Sequence, residues 1–342
     1  MIPHSRPWIT DEDCEAVVAV LRSGMLNEGA ATRRLEQWFE HASGGGTAVA
    51  TGSGSQALLL ALRALEVGAG AEVILPTYVC AEVLGVVESL GATARLVDIA
   101  DDYLINANAT AAAITPRTRA IVVPYVMGIR TDIEPLRTHG VPIIEDLAQW
   151  LGPVRAFKGD IQVFSFEATK VVAAGEGGMA MARTPELAQR LVQAKCIASS
   201  PYKLNLYPLS DLQATLALSQ LERLSKTWER RQMLAQRYIA GLADTPVIVP
   251  AQRIEHGMYF RFAVQLPAGF EVAQAITAFA RHGVAVRRPV DSLLHHIRPT
   301  TATFPMAQAL YDRTISLPLY PALSDDDLDV VLSAAHAVFS HS

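Results

Sequence analysis

Between residues 47 and 183 the chain alternates short apolar runs with stretches whose apolar positions recur every three or four residues. The runs at 47–51, 72–76, 94–98, 120–125, 142–146, 160–166 and 178–183 predict strands, and the segments SQALLLALRALEV and AEVLGVVESLG between them predict amphipathic helices. Strands that are apolar along their whole length are covered on both faces, so this alternation is the pattern of an α/β fold with a mostly parallel sheet. From Ser210 to about Ala240 the pattern becomes helical and charged, which predicts one long amphipathic helix. The last hundred residues mix strands (259–266, 284–288) with helices (271–282, 325–339), as in a small α+β unit. The expected organisation is an N-terminal segment and large domain over 1–225, followed by a small C-terminal domain over 226–342.

Composition removes several function classes. The chain has 342 residues, half of them hydrophobic, enough for a sizeable core. Its net charge of -5 and the lack of any Lys/Arg run argue against nucleic-acid binding. Cys14, Cys80 and Cys196 are widely spaced and give neither a disulfide framework nor a zinc pattern. The N-terminal residues do not read as a signal peptide, and no apolar stretch has membrane-spanning length. A cytoplasmic protein that engages neither membrane nor nucleic acid is expected.

Candidate chemistry concentrates where strands end, which is where open α/β sheets bind ligands. The strand holding Val163, Phe164 and Phe166 runs into Glu167-Ala168-Thr169-Lys170, and the loop Gly175-Glu176-Gly177-Gly178 follows. A lysine at the end of a core strand is costly unless paired, neutralised or used covalently. Lysine is also the side chain that forms a Schiff base with an aldehyde cofactor. Lys170 therefore points to pyridoxal 5'-phosphate. In IIEDLAQ, Asp146 falls at the mouth of a strand, where its carboxylate would keep a pyridine nitrogen protonated. Gln149, three residues on, would reach the ring or its hydroxyl. In TGSGSQA, a strand passes through small residues into a helix, which aims backbone N–H groups at an anion. Gly54 and Ser55 would hold a phosphate there, with a hydroxyl added by Ser165. Tyr78, in PTYVC, is the candidate to stack on the ring. Each has a plainer reading: a snorkelling lysine, a helix-capping aspartate, a core tyrosine. The string at 52–57 also fits G-x-G-x-x-A, the dinucleotide fingerprint, but the following strand ends in Pro76-Thr77-Tyr78 instead of an acidic residue. Arg287-Arg288-Pro289 and His295-His296 are expected to face the site from the second domain. No acidic or cysteine partner stands at metal-ligand spacing from the two histidines, so no metal is expected.

These blocks, together with the N-terminal IPHSRPWITDED segment, VPYVMGIRTDI, LSDLQATLALSQLERL and ISLPLYPALSDDDLDVV in this order, resemble the DegT/DnrJ/EryC1/StrS family of pyridoxal-phosphate sugar aminotransferases. The resemblance implies the aspartate-aminotransferase fold, fold type I, and a homodimer with shared active sites. It implies that Lys170 holds the cofactor aldehyde, Asp146 meets the pyridine nitrogen, Gln149 contacts the ring, and Gly54, Ser55 and Ser165 bind phosphate. Three positions depart from the family pattern. Cys80 stands where many members stack an aromatic, Glu167 where many have His or Tyr, and Leu206-Tyr207-Pro208 replaces an Asn-x-Arg signature, with Asn205 one place out of register.

The reaction implied moves an amino group from an amino acid, glutamate or glutamine, to a keto sugar, nucleotide-linked by resemblance, in secondary-metabolite or surface-polysaccharide biosynthesis. A keto cyclitol or another natural-product carbonyl is the second reading for the acceptor. Dehydratases that resemble these enzymes carry histidine at the lysine position, so Lys170 favours amine transfer. A nicotinamide oxidoreductase and a cofactor-binding sensor without turnover are the competing classes.

Overall fold

A computed structural model describes residues 1–152, 158–195, 207–250 and 258–339. Its main sheet has seven strands: β1 (Thr47–Thr51), β2 (Glu72–Pro76), β3 (Thr93–Val97), β4 (Thr118–Pro124), β5 (Ile143–Asp146), β6 (Ile161–Ser165) and β7 (Gly178–Ala182), in the order β1-β7-β6-β5-β4-β2-β3. The pairs among β2, β3, β4, β5 and β6 are parallel, and β7 alone runs antiparallel to both its neighbours. This is the mostly parallel sheet of the expected fold class.

The continuous apolar character of these strands follows from burial on both sides. On β4, Ala120 and Val122 pack into one core while Ile121 and Val123 pack into the other. The same alternation splits Ala180 and Ala182 from Met179 and Met181 on β7. Period-two side chains therefore serve two helical layers at once. One layer includes the Ala30–Ser43 and Asp211–Glu222 helices; the other includes the Gly54–Ala64 and Ala81–Ser89 helices.

A two-stranded antiparallel sheet, β8 (Phe262–Gln265) with β9 (Thr314–Leu317), carries its own core with Leu234, Tyr238, Phe279, Val331 and Phe339. The segment 284–288 is not the strand its sequence predicts. It makes single bridges, Val284 to Ile2 and Arg287 to Ser316, before Pro289, which has no N–H to give a ladder. Nor is 210–240 one helix. Asp211–Glu222 and Leu224–Gly241 are separate, with Arg223 out of helical geometry at φ -108°, ψ 18°. The break coincides with a long-range tie: Arg223 Nη1 donates to the buried carboxylate of Asp13 at 2.6 Å, and Nη2 donates to the Trp8 carbonyl at 2.7 Å.

Candidate active site

The carboxyl ends of β5 and β6 and the turn after β1 open onto one cavity of about 380 Å³. Its wall includes Gly54, Ser55, Cys80, Asp146, Gln149, Ser165 and Lys170. Six of the seven candidate residues are thus brought together. Tyr78 is not among them.

The turn after β1 is built for close approach. Ser53 caps the Gly54–Ala64 helix by accepting from Gln56 N–H at 3.2 Å, and Thr51 Oγ1 donates to the Ser53 carbonyl at 2.9 Å. A Cβ on Gly54 would stand 2.7 Å from Ser165 Cβ, so only glycine lets the helix start this close to β6. The first N–H groups of a helix have no partner within it. Those of Gly54 and Ser55 lie beside the Ser165 hydroxyl on the cavity wall, at the positive end of the helix dipole.

Asp146 closes β5 and is 8% exposed. Its Oδ1 accepts from Ala148 N–H at 3.0 Å. Burial raises its pKa, and the Ala148 N–H and the charge of Lys170 pull the other way. A carboxylate buried with so few donors calls for a cation at its side.

Lys170 sits on a tight loop beyond β6. Its N–H donates to the Glu167 carbonyl at 2.9 Å, while the Glu167 carboxylate accepts from Thr169 N–H at 3.0 Å and Oγ1 at 2.6 Å. Phe166 N–H to Gly177 O (2.8 Å) and Ala168 N–H to Gly175 O (3.1 Å) close the loop. Gly177 takes φ 143°, and a side chain there would meet Leu209 and Phe166 at 3.0–3.1 Å. Lys170 Nζ lies 5.5 Å from the ring centroid of Phe260. Gln149 Oε1 accepts from the N–H of Met127 at 2.7 Å. Because that partner is a donor, the oxygen end of the amide is spoken for and the NH₂ end is left to donate.

Tyr78 is fully buried, with its ring 5.6 Å edge-on from Tyr103 in a cluster with Leu293 and Phe304. A ring enclosed on all sides offers no face for stacking. Two residues on, Cys80 takes the wall position. Its side chain is exposed and faces Asp146 and Glu82 across the same space. Arg287, Arg288, His295 and His296 do not line the cavity either. Arg288 lies over the Tyr311 ring at 4.2 Å, His295 Nδ1 bonds Thr77 Oγ1 at 2.8 Å, and Pro289, Val290 and Asp291 form the wall instead. Sequence reasoning also passed over Glu82, Glu176 and Arg261, which face the same space. Among the described residues no group of three or more His, Cys, Asp or Glu side chains could hold a metal ion, and no helix is long and apolar enough to cross a membrane. Asn205 and Leu206 lie outside the described residues.

The model of the DegT/DnrJ/EryC1/StrS aminotransferase family matches residues 7–336. The chain belongs to this family. Over 98% of its length it is 32% identical to the spore coat polysaccharide biosynthesis protein SpsC of Bacillus subtilis (strain 168), covering 97% of that protein. The PMP-form of the putative sugar aminotransferase Spr1654 from Streptococcus pneumoniae superposes with a TM-score of 0.89 at 26% identity, over 99% of both chains. DesI in the presence of its TDP-sugar product matches with a TM-score of 0.87 at 27% identity, over 97% of this chain and 92% of that one. Membership in an aminotransferase family sets aside the oxidoreductase reading of residues 52–57. In this fold the glycines let a helix start against Ser165.

Proposed function

We propose that this aminotransferase uses pyridoxal 5'-phosphate to move the amino group of an amino acid, glutamate or glutamine, onto the carbonyl of a keto sugar, nucleotide-linked as in the DesI relative. The observation that carries the cofactor reading is the meeting of Lys170, Asp146 and the start of the Gly54–Ala64 helix on one cavity. The wall fits the group chemically. The helix N-terminus with Ser165 suits a phosphate, and the under-donated Asp146 suits a protonated ring nitrogen.

When bound, the cofactor supplies an aldehyde that takes up the amino group and a protonated ring that accepts negative charge from the donor's α-carbon. The protein does the rest. Asp146 holds the proton on the ring nitrogen. Gly54, Ser55 and Ser165 fix the phosphate, and Gln149 donates its NH₂ toward the ring. Lys170 anchors the cofactor, and its freed amine carries the proton from the donor's α-carbon as base and returns it as acid. Lys170 is the only lysine on the cavity wall among the described residues.

A polyhydroxylated acceptor is supported by the carboxylates of Glu82, Glu167, Glu176 and Asp291, which line the cavity as acceptors for hydroxyl groups. The same four carboxylates favour the second reading, an uncharged keto cyclitol, because they repel a diphosphate. A homodimer in the cytoplasm is the assembly we propose for it. The test has two stages. Borohydride treatment of purified protein should fix the cofactor on Lys170, located by mass spectrometry. The aminated form should then be offered nucleotide-linked keto sugars and free keto cyclitols. Discharge of the amino group by neither class sinks the acceptor proposal, and absence of any reaction with an amino donor marks a protein that binds the cofactor without turnover.

A further inference from the structure

A second cavity, of about 470 Å³, shares no wall residue with the Lys170 cavity among the described residues. β3 and β4 run parallel on either side of β2, so the segments that follow them leave the same edge of the sheet. Those segments, 100–105 and 129–132, form most of the wall, and Gln265 on β8 completes it from the second sheet. Leu104, Ile105 and Ile129 give the space an apolar side. A cavity of this size with a few polar groups converging on it has the make-up of a small-molecule site.

Two buried polar groups on that wall go unanswered. Gln265 is 7% exposed, and its Nε2 donates to Tyr103 Oη at 3.1 Å; Tyr103 Oη in turn shares a hydrogen bond with Thr314 Oγ1 at 2.9 Å. This fixes the amide and leaves its Oε1 with no donor among the described residues. Thr131 is 6% exposed, and its Oγ1 has no partner either. Folded proteins rarely strand such groups, because each carries an uncompensated desolvation cost.

The charge of the rim narrows the guest. Asp101, Asp102 and Asp132 line the cavity as exposed residues, and none of them forms an ion pair with a described residue. Asp102 Oδ1 accepts from Leu104 N–H at 3.0 Å and Asp132 Oδ1 from Glu134 N–H at 3.2 Å, so each keeps a second oxygen for a guest. Arg130, on the same wall, is turned to the Tyr125 hydroxyl. Three carboxylates against one guanidinium disfavour a phosphate, and a purely apolar guest would leave Gln265 and Thr131 stranded. An ammonium group answers the carboxylates, hydroxyls answer Gln265 and Thr131, and a ring face answers Leu104 and Ile129.

We propose that this cavity binds a hydroxylated amine of sugar size, an amino sugar, at a site separate from the Lys170 cavity. Amine transfer to a keto sugar makes a molecule of this class, so the site is one that product fills; that link, unlike the site itself, rests on the transaminase reading above.

The test uses borohydride-reduced holoenzyme, in which the cofactor aldehyde no longer reacts with an added amine. It is titrated by calorimetry with glucosamine and with N-acetylglucosamine, the uncharged counterpart, at about pH 6.5, where the free amine carries its charge. Glucosamine should bind about 10-fold more tightly, the scale of two exposed charge contacts, and Asp102→Asn combined with Asp132→Asn should erase that difference. Asparagine keeps both turn bonds through its own Oδ1, so thermal unfolding of the double variant should match wild type. Thr131→Val should weaken glucosamine binding while raising the unfolding temperature of the free protein, because an unsatisfied buried hydroxyl is removed. No heat from either sugar, equal affinity for both, a preference that survives the double variant, or glucosamine binding untouched by Thr131→Val overturns the proposal. If borohydride fixes nothing on Lys170, the transaminase reading falls, and the same titrations still decide the site.

Discussion

Gly54 and Ser165 meet so closely that any side chain on the first would occupy the second's Cβ: the built distance is 2.7 Å. One residue opens a helix and the other closes β6, and the pair sets how near the helix N-terminus comes to the cavity wall. Gly54→Ala should therefore weaken retention of the cofactor by about 10-fold, within the range that overpacking a tight contact costs. Absorbance titration of the cofactor-free protein measures it. Wild-type affinity in Gly54→Ala would mean that the contact does not bear on the site.

Lys170→Ala should abolish both the covalent attachment trapped by borohydride and amine transfer. Retained transfer in that variant would refute the role of Lys170. No other lysine lines the cavity among the described residues to take its place.

For Asp146→Asn the expectation is a split. Attachment at Lys170 persists, because the neutral amide keeps the shape of the wall. Proton transfer in the half-reaction slows by about 100-fold or more, because the ring nitrogen loses its counter-charge. Stopped-flow absorbance separates the two steps, and an unchanged rate would remove Asp146 from the chemistry.

His4 gives a pH prediction with a definite sign. Burial, then Arg261 and Arg287, lower its pKa to about 3 from the ordinary 6.5. The unfolded chain therefore binds a proton between those values that the folded chain refuses. Stability rises with pH through that window and is lost as pH falls below about 6.5, by up to about 1.4 kcal/mol per pH unit from this group. Because carboxylates titrate in the same range, the readout is a difference. Calorimetry at pH 7, 6 and 5 should show His4→Gln losing less stability on acidification than wild type, and parallel curves would contradict the assignment.

The central part of the fold was legible because its signals are local. β1 and β2 occupy the residues the apolar runs indicate, since strands buried on both faces need unbroken apolar sequence bounded by turn residues. The break at Arg223 was not, because its partner Asp13 lies 210 residues away and nothing near Arg223 announces it. At the site, Asp146, Gln149, Ser165 and Lys170 follow from their places at strand ends. Tyr78 failed for a geometric reason: in the turn after β2 the side chains diverge, so Tyr78 goes into the core while Cys80 takes the wall. Arg261 was the hardest to see. Its only trace in the sequence is a guanidinium inside the apolar run MYFRFAV, and its neighbour His4 comes from the far end of the chain.

The earliest residues are stitched into the second sheet's surroundings: Ile2 N–H donates to Gly283 O at 2.7 Å, and Ala285 N–H donates to Ile2 O at 3.0 Å. His4, two residues on, accepts from the Arg261 guanidinium on the wall of the candidate cavity. Trimming residues 1–5, or fusing a bulky affinity handle there, would therefore loosen one wall of that cavity rather than shorten a tail.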